Sequence, residues 1–264
     1  MTPKEVEGSA EQDAQARDAL RDLILCLADS KRLLGMRYAQ WILGAPELEA
    51  GIACASMAQD EWGHARLLYA LLRDFGDDVD RLEHGREPHE YCSMAALDRE
   101  PADWSELVAL NALADTALSV QFEALRDAAY APLRQRVEKL LEEERFHAAH
   151  GAAWARRLAG AGQPAREGVV RAIDALHPQL LDWFGPDSPR ADLLVSAGIV
   201  DAGPSELRRR YEQRVSAMLA GLAAPVEPDL SDFDERRRRP GHGAPDAETI
   251  RRVRGDKNRA FLMD

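Results

Sequence analysis

"SMAQDEWGHARLLYALL" (residues 56–72) has the spacing of an amphipathic helix, yet it sets an acid and an imidazole, Glu61 and His64, three residues apart on the apolar face. The face is marked by Cys54, Met57, Leu68 and Leu71, recurring at steps of three and four. A charge in such a seam costs several kcal/mol unless it is paired or bound to a metal. Three other segments repeat the anomaly. The stripe Leu20, Ile24, Leu27, Leu34, Tyr38, Trp41 is interrupted by Lys31. The stripe Val108, Leu118, Phe122, Leu125 is interrupted by Asn111 and Asp115, and Val137, Leu140, Gly151, Trp154 by Glu144 and His147.

Glycine and proline punctuate the chain at few places, and the intervals between them are rich in Ala, Leu, Arg and Glu, the strong helix formers. No sustained alternation of Val, Ile and Thr signals strands. The reading is an all-α protein with long helices near 13–43, 46–74, 103–129 and 131–159 and shorter ones near 165–184 and 204–222. The four long helices form a ferritin-like four-helix bundle, with additional C-terminal helices. Residues 1–223 are expected to form the helical domain, and 224–264 an irregular tail packing on it. Pro46 and Pro132 suit first-turn positions, where a missing N–H costs nothing.

Composition narrows the function classes. A formal net charge of −12 argues against nucleic acid as a partner. No apolar run is long enough for a membrane span, and the polar, acidic start does not resemble a signal peptide, so the cytoplasm is the expected location. Cys26, Cys54 and Cys92 are far apart, with neither a disulfide framework nor a thiolate metal site indicated.

Glu-x-x-His places a carboxylate and an imidazole on one helical face, within reach of one metal ion. Two such pairs on inner stripes, each preceded by a helix offering a carboxylate about thirty residues upstream, make the di-metal layout of ferritin-like bundles. Asp115 stands in that relation to Glu144. The corresponding position before Glu61 is Lys31, with Asp29 about 200° away around the helix. Three readings stay open for Lys31: its ammonium replaces a cation, its amine serves as ligand or base, or the helix shifts so that Asp29 ligates. Candidate metal ligands are Glu61, His64, Asp115, Glu144 and His147, with Lys31 as a candidate catalytic group. Non-haem iron or manganese suits such donors, with open positions for dioxygen.

The segments beginning at Gly44 ("GAPELEAGIACASMAQDEWGH") and Asn111 ("NALADTALSVQFEALRDAAYAPLRQRVEKLLEEERFHAAHG"), with "GIVDAGPSELRRRYEQRV" from Gly198, resemble the catalytic and structural subunits of the phenylacetyl-CoA epoxidase (phenylacetic acid catabolism) family. The resemblance covers most of residues 20–222. It implies a ferritin-like fold, two iron ions that activate dioxygen, an aromatic acyl-CoA or related small-molecule substrate, and electrons from a separate flavin and iron–sulfur reductase. It also implies a homodimer or a heteromer with a related subunit, because in that family the structural subunit loses the ligands and pairs with the catalytic one. The run "LADSKRLLGMRYAQWILGAPELE" (27–49) is closer to the structural type.

The leading expectation is an oxygen-activating monooxygenase or epoxidase, holding two irons, or one metal, or manganese. Its rival is a non-catalytic subunit in which Lys31 and the acids form a metal-free network; a metal-storage or redox-sensing bundle is a third reading. Surface placement is the bland alternative for each Glu-x-x-His pair. His150 is expected beside the site, Asp174 and His177 are expected to be structural, and Tyr38 and Trp41 are expected to be core aromatics. Gln121 and Glu123 fall near a pocket at the seam's end. "ERRRR" (235–239) is expected to be solvated, or else a phosphate or acidic-partner contact.

Overall fold

The computed structural model describes residues 3–261, so the first two residues and the last three of the expected tail lie outside it. Two long helices, α1 (Pro3–Gln40) and α2 (Leu48–Leu71), are joined by a turn and pack along one another. A connection built of short 3-10 turns and α3 (Val79–His84) crosses to α4 (Trp104–Ala124). That helix packs on α5 (Ala131–Gly160), and contacts between α2 and α5 and between α1 and α4 close the bundle. α6 (Gln163–Asp182) lies against α4 and α5, α7 (Pro189–Ser196) against α1, and α8 (Pro204–Met218) against α4. The architecture is an all-α, ferritin-like bundle with additional C-terminal helices.

The helices start where the side chains favour it. Asp103 caps α4 by accepting from the Glu106 amide at 2.9 Å, and α5 and α8 carry proline in their first turns. α4 is the central helix: residues 107–122 are buried throughout, because α5, α6 and α8 all cover it. This explains why Ala109, Ala112, Ala114 and Ala117 occupy it; small side chains let neighbours approach from several sides.

The ranges expected for the main helices agree with those observed to within a few residues, except that α1 starts ten residues before the expected 13 and that 125–129 is a turn and loop rather than part of α4. Three short helices lie outside that expectation: α3, α7 and α9 (Ala247–Arg254). The region expected to be irregular contains α9 and a two-residue hairpin, β1 (Phe233–Asp234) against β2 (Arg239–Pro240). Ile250 is buried in the core. Among the described residues no helix is long and apolar enough to cross a membrane, and the three cysteines are buried free thiols.

One close approach sets the spacing of the bundle at mid-length. A Cβ at Gly151 of α5 would lie 2.6 Å from the Ala112 backbone nitrogen of α4 and 2.9 Å from Asn111 Cγ. Glycine at 151 thus lets the two helices touch one turn from His147. Gly151→Val is expected to push them apart and destabilise the fold by about 2–3 kcal/mol, as overpacking does, measurable by urea denaturation with an unchanged far-ultraviolet helix signature.

Candidate metal centre

The polar interruptions of the four seams meet in one place. Lys31 on α1, Glu61 on α2, Asp115 on α4 and Glu144 on α5 each have no solvent exposure, and His147 has 2%. Glu61, Asp115, Glu144 and His147 offer one ligand atom each within 4.8 Å of one another. Lys31 Nζ donates to Glu61 Oε1 at 2.9 Å and to Glu144 Oε1 in a shorter contact. A second glycine permits this closeness: a Cβ at Gly35, one turn beyond Lys31, would be 3.0 Å from Glu61 Cβ and closer still to Trp62.

Lys31 thus faces inward as its stripe requires, and the reading that the helix shifts to present Asp29 is overturned. Asp29 is buried elsewhere, where it accepts from Tyr69, from Arg86 and, at 2.8 Å, from the Cys92 amide. It anchors the connection between α3 and α4, a role that its place 200° from Lys31 dictates.

His147 stands between two carboxylates, with Nδ1 3.1 Å from Glu61 Oε1 and Nε2 3.2 Å from Asp60 Oδ2. Burial disfavours its charge, but Glu61, Asp115 and Glu144 outweigh burial and hold it up at about 10. Acceptors at both nitrogens favour the protonated ring. Burial likewise opposes the charges of Lys31 and Glu144. The three surrounding carboxylates raise Lys31, whereas Lys31, His64 and His147 depress Glu144 to about 2. Burial and the neighbouring acids push Asp115 up to about 7. Its Oδ2 accepts from Tyr38 OH and Asn111 Nδ2, and Asn111 also holds the His147 carbonyl at 3.1 Å and His150 Nδ1 at 3.0 Å.

His64 is buried but turned aside. Its Nε2 meets Glu143, while Nδ1 lies 3.6 Å from Glu144 Oε1. Tyr38, Asn111, Glu143 and Asp60 complete the cluster, beyond the residues that the sequence nominates. Asn111 and Tyr38 already stand on the inner stripes, Tyr38 as an expected core aromatic that instead hydrogen-bonds to Asp115, but Asp60 and Glu143 sit beside inward residues and carry no seam signal. His150 lies beside the cluster as expected. Trp41 is a packing aromatic against Trp104, and Glu123 pairs with Arg214 at 2.8 Å.

These residues do not fit a two-ion centre. A carboxylate position is held by an ammonium in contact with two of the four candidate ligands. His64 lies outside the group that converges. What remains open to a cation is a set of three buried oxygens without hydrogen-bond partners, Glu61 Oε2, Asp115 Oδ1 and Glu144 Oε2, together with the equally unpartnered His64 Nδ1.

The fold and the cluster define a ferritin-like bundle whose centre has the donor types of a non-haem metal site and a lysine among them. The family model described as "Phenylacetic acid catabolic protein" matches residues 1–252, and the chain belongs to that family. It is similar to one of the subunits of the 1,2-phenylacetyl-CoA epoxidase of Escherichia coli (strain K12), with 26% identity over 207 residues, 77% of this chain and 83% of the relative.

Lys31→Met would leave Glu61 and Glu144 buried without their cation. A loss of about 3–5 kcal/mol in unfolding free energy is expected, as for a buried pair stripped of one partner, and chemical denaturation measures it. The pH dependence follows from His147, whose folded value near 10 lies above its ordinary 6.5. The stability it contributes is complete below 6.5 and lost as pH rises through 10. The urea midpoint should fall between about pH 7 and 10 in the wild type, and more shallowly in His147→Gln.

Proposed function

We propose that this chain is the non-oxidising subunit of an oxygenase complex resembling phenylacetyl-CoA epoxidase, in which it supports a catalytic subunit of its own family. One observation carries the reading: the Lys31 ammonium lies between Glu61 and Glu144, fully buried, where an oxygen-activating bundle would hold a cation that changes oxidation state. An ammonium supplies the charge and the hydrogen bonds that keep the acids ionised in a dry interior, but it transfers no electrons. The cluster's role is then structural: it fixes the relative positions of α1, α2, α4 and α5, with Lys31 a positioning residue. Of the described residues, those up to 223 act as the bundle domain and those from 224 as a segment packed on it.

Association with a related subunit also has a surface to use. Leu43 is 98% exposed, Leu48 75% and Ile52 60%, all at the turn between α1 and α2 and on the first turns of α2. Apolar side chains grouped in this way are characteristic of protein contacts. The similarity to the Escherichia coli protein supports the same reading, because that relative is named as one subunit of an epoxidase.

A second reading is favoured by the three unpartnered oxygens of Glu61, Asp115 and Glu144. They could hold a single iron or manganese ion if Lys31 withdrew, and the chain would then be the oxygen-activating monooxygenase, taking electrons from a reductase and acting on an aromatic acyl-CoA or related small molecule.

Elemental analysis after growth with iron and manganese separates the two. The subunit reading expects substoichiometric metal in the folded wild-type protein. It further expects Lys31→Glu to gain Mn(II) binding, seen as a rise in melting temperature of about 5 °C with excess Mn(II) that the wild type does not show. Stoichiometric iron or manganese in the wild type, lost in Glu61→Ala, would establish the oxygenase reading instead.

A further inference from the structure

The hairpin that ends the arginine run carries an unusual residue. Arg238 has a φ of +50°, the sole non-glycine among the described residues in the left-handed region. This is a turn position that glycine or asparagine occupies with less strain. Its guanidinium is folded inward: Cζ lies 4.7 Å from the centre of the Trp183 ring, and Nη2 donates to Gln121 Oε1 at 3.0 Å. The neighbouring arginines find protein partners: Arg239 pairs with Asp98, Arg237 donates to the Tyr91 carbonyl at 3.2 Å, and Arg236 reaches Asp18 at 3.5 Å. Arg238 forms no ion pair among the described residues, and burial lowers its affinity for its proton.

Gln121, the α4 residue that the sequence places at the seam's end, has no solvent exposure. Its carbonyl is taken by Arg238, and its amide nitrogen has no partner; Arg238 Nε is also buried without one. Both side chains line the same cavity, whose volume is about 60 Å³. The rest of the wall is mostly apolar, with Leu23, Phe184, Leu194, Val200 and Leu207 among its residues. Two acids lie on this wall and both are engaged: Asp22 with Arg21 and Arg190, Glu235 with the Ser188 hydroxyl.

A half-buried guanidinium with no ion pair and a buried, unpartnered Nε, beside the unpartnered Gln121 amide in a small apolar cavity, favours an acceptor that carries negative charge. The volume is well below the roughly 150 Å³ of a cavity that takes benzene, so a ligand lodged there is small. We propose that the Arg238–Gln121 cavity binds a short-chain monocarboxylate of two to four carbons, its oxygens accepting from Arg238 Nε and Gln121 Nε2 and its alkyl part lying against the leucines. The site is separate from the Lys31 cluster: Gln121 is six residues beyond Asp115 on α4, about 9 Å along the helix. It does not depend on whether the bundle centre holds a metal.

Saturation-transfer NMR with the full chain tests this, using butyrate as the probe and butyramide as its neutral counterpart. The expected result is saturable butyrate binding, with butyramide about tenfold weaker or more, and butyrate weakened about tenfold or more by Arg238→Gln and by Gln121→Leu. Ala191→Leu, which keeps both donors and fills the cavity, is expected to abolish the signal, and it decides the matter where circular dichroism shows that Arg238→Gln has not folded. No saturable binding up to about 50 mM butyrate, equal binding of butyramide, or unchanged binding in Ala191→Leu would overturn the proposal.

Discussion

The contact of the Lys31 ammonium with Glu61 and Glu144 ties three of the four bundle helices at a single buried point, and Asp115 and His147 bring the fourth into the same network. Each charge would be costly alone in a dry interior, so the members hold one another in place. Burial works against Lys31, Glu144 and His147, and in each case the neighbouring charges win. Asp115 is the exception. With two cations already matched to Glu61 and Glu144, a third carboxylate finds no full countercharge, and its proton affinity rises. Tyr38 and Asn111 hydrogen-bond to the Asp115 oxygen that faces them and leave the other without a partner. The geometry around this network follows from glycine: Gly35 and Gly151 remove the Cβ atoms that would otherwise keep α1 from α2 and α4 from α5.

The fold was legible because four long segments each carry one apolar stripe with an interruption at mid-length. The period reports the helix, and the coincidence of the interruptions reports the bundle. Lys31, Glu61, Asp115, Glu144 and His147 were readable for the same reason, since a stripe states which way a residue points. The stripe left Asp29 open as an alternative to Lys31, and the Arg86 and Cys92 contacts show where that acid is used instead. What periodicity does not report is rotamer. His64 is in the seam and buried, yet its ring turns toward Glu143 on the neighbouring helix, an exposed-side residue with no place in any inward pattern.

The C-terminal region was harder to read because its order comes from tertiary contacts that a local pattern does not contain. The run of arginines has the composition of a solvated segment. The structure instead uses each member differently: Arg239 is buried against Asp98 and Ser93, Arg237 holds a backbone carbonyl, and Arg238 enters a cavity. Such an allocation depends on which carboxylates and carbonyls of α1 and of the connection before α4 lie opposite, over a hundred residues away in the chain. The short helices α3, α7 and α9 escaped for a related reason. At six to eight residues they are too brief to show a stripe, and they are defined by their caps: Asp78, Ser188 and Asp246 each accept from a first-turn amide.

An ammonium and a metal ion impose different demands on the same acids. A divalent ion draws carboxylate oxygens and neutral imidazole nitrogens to itself from several directions and requires each to give up its proton. Lys31 approaches along α1 with three N–H donors and satisfies only the oxygens those donors reach. Glu61 Oε2 and Glu144 Oε2 lie beyond it, and both nitrogens of His147 face acids. The cluster therefore retains the outline of a metal-binding centre while its protonation pattern belongs to a salt-bridge network. Conversion to a metal site would require Lys31 to leave and the contact of His147 Nδ1 with Glu61 to open.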